Sequence, residues 1–130
     1  MKSVAIELRV IANLRDEFLE DARQRLVQMM EIRENIVRSE NPEPEIASFR
    51  AELHTMKGIG EPFGFASITL ISIRLEELLK AMSDDDFTAN ADISTFFTAI
   101  WEIVESGDEL LDDDLERVLH SLSVPVLGSN

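Results

Sequence analysis

The sequence predicts an all-α protein, an up-down four-helix bundle with an additional C-terminal helix, about five helices in 130 residues. Three observations carry this. Apolar residues recur at steps of three and four along five separate stretches, the spacing of one helix face. The breaks between stretches are short and rich in Pro, Gly and Asp, so consecutive helices must double back on one another. Runs of alternating apolar and polar residues, the mark of a half-buried strand, are almost absent.

The first helix is expected from Ile11 to Val37, with Ile11, Leu14, Phe18, Ala22, Leu26, Met29, Met30 and Val37 inward. Residues 1–10 form an N-terminal extension, and pattern leaves open whether it continues the helix, forms a short one or is loose. Pro42 and Pro44 stop the helix, because each disfavours helical geometry in the residue before it. Pro44 suits the first turn of a second helix, where a missing N–H is harmless. That helix runs over 45–59 with Ile46, Phe49, Leu53 and Met56 inward.

Gly60-Glu61-Pro62 ends the second helix, and a third is expected from Gly64 to Met82, buried through Phe65, Ile68, Ile71, Leu75, Leu78 and Met82. Ser83-Asp84-Asp85-Asp86 makes the next break. A fourth helix spans 92–106 with Ile93, Phe96, Phe97, Ile100 and Val104 inward. Gly107 interrupts, and Asp108 is placed to cap a fifth helix ending near Leu122, with Leu111, Leu115, Val118 and Leu122 inward. One domain over 11–122 is expected, followed by a flexible tail over 123–130 that contains Pro125 and Gly128.

Composition excludes several functions. The net charge of −14, from 26 acidic and 12 basic residues, opposes nucleic acid, whose binding depends on Lys and Arg neutralising phosphates. It also disfavours anionic membranes. No apolar run approaches the ~20 residues of a membrane span, and the first residues lack the apolar stretch of a signal peptide. Cysteine is absent, which removes disulfides and thiolate metal sites and fits a reducing, cytoplasmic setting. Asp84–Asp86 and Asp112–Asp114 lack the Asp/Asn-Gly spacing of a calcium loop and read as caps and solvated faces. No Glu-x-x-His pairs exist for a di-metal helical site, and no metal is expected.

The remaining chemistry gathers at His54. At about 100° per residue it stands off the apolar stripe of its helix. It shares a flank with Arg50, Lys57, Gly58 and Glu61. Lys57 and Gly58 lie one turn away, at i+3 and i+4. An exposed imidazole titrating near ~6.5 is largely neutral in the cytosol and is a ready nucleophile. Lys57 offers charge-assisted hydrogen bonds to an anion. Gly58 lowers helix stability by roughly 1 kcal/mol relative to alanine, which suggests that bulk beside His54 is being avoided. His120, near the end of the last helix, suits the helix dipole there.

The string His54-Thr55-Met56-Lys57-Gly58, with Gly64 at +10, resembles the histidine-containing phosphotransfer domains of bacterial two-component signalling. Ile59-Gly60-Glu61-Pro62-Phe63-Gly64-Phe65 looks closest to the phosphotransfer domain of chemotaxis-type histidine kinases. Phe49-Arg50-Ala51-Glu52-Leu53 and Arg74-Leu75-Glu76-Glu77-Leu78-Leu79 extend the similarity, which covers roughly residues 11 to 120.

The resemblance implies that His54 is a phosphoacceptor, exposed midway along the second bundle helix. It implies a glutamate on the next helix that accepts from the imidazole Nδ1–H. Aligning the glycines gives that part to Glu76, with Glu77 as the alternative if the register slips by one. Lys57 and Gly58 complete the expected site. The implied function is a phosphorelay intermediate between a sensor histidine kinase or a receiver aspartate and a response-regulator receiver. The receiver would supply magnesium, so no cofactor of the chain's own is expected. No nucleotide loop is present, so no kinase activity is expected. The chain is expected to be monomeric, with an apolar docking patch around its first two helices. The alternative is a module that docks receivers or a kinase without carrying phosphate.

Overall fold

The computed structural model describes residues 2–81 and 91–122. Among them are five α-helices, one 3-10 turn and no strand. Helix α1 is Lys2–Arg38, α2 Glu43–Ile59, α3 Ala66–Lys80, α4 Ala91–Ser106 and α5 Asp112–Ser121, with a 3-10 turn at Glu61–Phe63 between α2 and α3. Each of α1 to α4 packs on two neighbours, so the four close into a ring in the order α1, α2, α3, α4, with α5 against α3 and α4.

Cross-helix bonds fix the directions. Arg23 meets Glu105 at 2.8 Å while Arg33 meets Ser94 at 2.9 Å, so α1 and α4 run antiparallel. On α2 and α3, Arg50 reaches the carbonyl of Leu79 and the carbonyl of Lys57 accepts from Thr69, which is again antiparallel. None of the described helices is long and apolar enough to cross a membrane.

The expected stripes of α2 and α4 are buried as read. Ile46, Phe49, Leu53 and Met56 face inward from α2, and Ile93, Phe96, Phe97, Ile100 and Val104 from α4. Five of the six expected on α3 are buried with them, joined by Leu79, while Met82 and residues 83–86 lie outside the described residues. So does the expected tail, 123–130.

The first helix departs from expectation at both ends. It begins at Lys2, so the extension continues it. The ring reaches only as far as Phe18, which stacks on Phe63 and Phe65, and Ile11 and Leu14 stay exposed beyond it. At the other end Ile36, not Val37, is buried. The stripe steps four and three from Met29 through Arg33, whose guanidinium lies over Phe97, to Ile36.

The last helix starts three residues late. Asp108 caps nothing, because α5 begins at Asp112 after an extended Leu111 that has no side-chain cap bond. Gly107, at φ 72°, ends α4. Glu109 is drawn sideways, where its carboxylate accepts from the backbone N–H and the hydroxyl of Ser67 in the first turn of α3. That satisfies an orphan donor of α3 and holds residues 108–111 out of a helix. Leu111 is left exposed, Leu115 and Val118 are half-buried, and Leu122 is buried. In α5 itself, three aspartates occupy the first turn and His120 the last, the order its dipole favours.

Candidate functional site

Because Leu53 and Met56 are locked into the core, the azimuth of His54 is fixed, and its side chain is 71% exposed. On α3 the burial of Leu75 does the same for its neighbour. Glu76 is turned towards α2 and its side chain is only 19% exposed. The two meet with Glu76 Oε2 3.4 Å from His54 Nδ1, a long contact. Glu77 is exposed on the solvent side of α3, so the register that puts Glu76 opposite His54 is the one realised.

Glu76 is the hub of the cluster. Its other oxygen, Oε1, accepts from Lys57 Nζ at 2.9 Å, and Lys80 Nζ stands 3.9 Å away. The hydrogen bond from Lys57 holds the carboxyl below the ordinary glutamate range. Partial burial opposes this; the His54 contact and the charges of Lys57 and Lys80 assist it. Glu76 is therefore ionised at neutral pH, and an ionised carboxylate can only accept. The proton shared with His54 must lie on Nδ1, which leaves the lone pair on Nε2.

Around this pair lies an open cleft of about 410 Å³ between α2 and α3, floored by Leu53 and Leu79 and bordered by Arg50, Lys57 and Lys80. Three cations face one carboxylate in a chain of net charge −14. The cleft thus reverses the local sign and suits an anion. Lys57 reaches the cleft with its ammonium already bonded to Glu76. An anion arriving at His54 must share Lys57 with that carboxylate.

Gly58 adjoins His54 on the exposed flank, and a Cβ built there meets no atom within 4 Å. Nothing among the described residues requires a glycine at 58. Gly64 is a backbone device, at φ 88° after the 3-10 turn, with its N–H bonded to the carbonyl of Glu61.

Gly60, expected only as the end of α2, and Thr69, which sequence reasoning missed, both hold the site. A Cβ at Gly60 would stand 2.7 Å from the carbonyl oxygen of Phe65 and 2.9 Å from Thr69 Oγ1. The Thr69 hydroxyl accepts from the Glu61 N–H at 3.0 Å and donates to the Lys57 carbonyl at 2.9 Å. It ties off the end of α2 one turn beyond His54. No local signal exists for this, since the partners lie 8 and 12 residues apart.

An apolar docking patch is expected from the sequence around the first two helices. Helix α2 contributes none of the exposed large apolar side chains, and those of α1 concentrate between Val4 and Leu14, away from His54. Among the described residues no three His, Asp or Glu side chains gather as a metal site. No protein-family model, no curated protein and no solved structure matches the chain.

Proposed function

We propose that the chain is a histidine phosphotransfer protein of a cytoplasmic phosphorelay, and that His54 carries the phosphoryl group. The observation that carries this is the Glu76 contact. It commits Nδ1 and leaves Nε2 of an exposed imidazole as the free nucleophilic atom.

In the forward step Nε2 attacks the phosphorus of an aspartyl phosphate on a receiver domain. The N–P bond forms as the P–O bond to the aspartate breaks, and the carboxylate leaves with the bonding pair. The Nδ1 proton stays on the ring, where Glu76 offsets the positive charge that phosphorylation places on it. Transfer to a second receiver is the reverse. A kinase could supply the same group in place of the first receiver. The partner supplies magnesium and most of the electrostatic stabilisation in flight. This chain supplies the nucleophile, a cationic cleft and, at Gly58, room for a closing partner.

The test is transfer from a labelled receiver or kinase to the purified chain. Label that is acid-labile and base-stable, and that disappears in His54→Gln, is expected. Undiminished label in His54→Gln would sink the proposal. Tight receiver binding without transfer would instead favour a docking module.

A further inference from the structure

Helix α1 outruns its own bundle. The ring of helices closes at the level of Arg15, which donates to the Gly107 carbonyl, and of Phe18, stacked on Phe63 at 5.0 Å between centroids. Residues 2–14 project beyond it by about 20 Å at 1.5 Å per residue. Val4, Leu8, Ile11 and Leu14 continue, at steps of four and three, the stripe that Phe18, Ala22, Leu26 and Met29 bury. Among the described residues that stripe has no partner in the overhang, and these four side chains are 47–63% exposed.

We infer that this overhang is the dimerisation element of the protein, and that its partner is the same overhang of a second copy in antiparallel arrangement. The first argument is area. The strip of Val4, Leu8, Ile11 and Leu14 with Phe63 at its root exposes on the order of 500 Å², at the upper end of the ~300–600 Å² of the largest patch on an ordinary monomer. Ile6 and Val10 extend apolar surface round the flank of the same overhang, towards the ~800 Å² each partner buries in a standard interface.

The second argument is charge. Residues 2–14 carry Lys2 and Arg9 against Glu7 alone, in a chain of net charge −14, and Arg15 at the root is engaged with the Gly107 carbonyl. The end of the bundle from which they emerge is acidic and exposed, at Asp16, Glu17, Glu61 and Asp108. A two-fold axis near Leu8 lays each basic overhang against the acidic root of the other. A parallel pairing would set like charges side by side.

The third argument is shape. Open grooves flank the root of α1, one lined by Ile11, Leu14 and Phe63 (about 580 Å³) and one by Leu8, Ile11 and Leu19 (about 470 Å³). They are placed to receive the apolar side chains of the partner's first turns. The surface is self-complementary, as a two-fold contact must be.

The dimer replaces the sequence expectation of a monomer and does not depend on what His54 carries. Arg25, which pairs with Glu52 beside His54, lies 17 residues from Leu8, about 25 Å along α1, so the interface leaves the cleft open. The test is sedimentation equilibrium of the full chain at 10–200 µM (concentrations of the order at which moderate self-association is read). A mass of twice 14.7 kDa is expected for the wild type. The variant Leu8→Glu/Ile11→Glu, altered only at exposed positions, should sediment as one chain with unchanged helical circular dichroism. A wild type that stays at one chain's mass throughout would overturn the inference. So would a charged variant that still dimerises. Binding of the wild type to phosphatidylglycerol vesicles while it remains monomeric would overturn it too, and would reassign the overhang to a membrane surface.

Discussion

Glu76 stands 3.4 Å from His54 Nδ1 and divides its two oxygens between that imidazole and Lys57. One carboxylate therefore sets the tautomer of the proposed nucleophile and restrains the cation that would meet its cargo. Glu76→Ala removes both controls. A hydrogen bond of this kind contributes about 1–1.5 kcal/mol, so transfer to His54 should slow on the order of tenfold. Nitrogen NMR of the imidazole should show the proton moving from Nδ1 towards an unbiased mixture of tautomers. An unchanged tautomer would remove Glu76 from the site.

Gly58 and Gly60 are two residues apart and should respond oppositely to alanine. At Gly58 an added Cβ meets open space. Gly58→Ala should stabilise the fold by up to about 1 kcal/mol, raising Tm by about 3–5 °C, while slowing transfer by crowding the partner. At Gly60 the Cβ strikes the Phe65 backbone at 2.7 Å. Gly60→Ala should lose about 1–3 kcal/mol. Thermal denaturation of the two variants reads both signs in one experiment.

What the sequence disclosed follows from how local each feature is. Ile46, Phe49, Leu53 and Met56 are spaced by helical geometry alone, so the inward face of α2 and the outward placing of His54 could be read directly. The partnership of His54 with Glu76 spans 22 residues and two helices, and only the family resemblance pointed to it. The start of α5 was misread because Asp108 looks like a cap, whereas the long-range bond from Ser67 to Glu109 decides the matter. The stripe of α1 was read correctly as a stripe, but periodicity cannot say where neighbouring helices stop. Ile11 and Leu14 therefore looked like core and prove to be overhang.

Thr69 offers a test of how the end of α2 is held. Thr69→Val keeps the shape but leaves the Glu61 N–H and the Lys57 carbonyl without their partner. A loss of about 1–3 kcal/mol is expected. Hydrogen exchange should quicken at the Glu61 amide and leave the centre of α4 unchanged. Uniform acceleration across the bundle would mean that Thr69 serves global packing instead.

Acid should weaken the site in a defined window. The carboxyl of Glu76 is held below its ordinary value near 4.5, chiefly by the Lys57 hydrogen bond. A group whose pKa is depressed on folding stabilises the fold above its unfolded value, and that contribution is lost as pH falls through the folded value. The pairing should therefore be fully present at neutral pH and fade below about pH 4.5. Lys57→Met removes the principal cause of the depression. In urea unfolding, the stability gap between wild type and Lys57→Met should be largest near pH 7 and narrow as the pH falls towards 3, because a protonated Glu76 no longer attracts the ammonium. Lys57 also lines the cleft at His54, one helical turn away, so the same variant should slow transfer at pH 7, where Glu76 is ionised. A stability gap that stays constant from pH 7 to 3 would mean that Lys57 contributes through its packed methylenes rather than its charge.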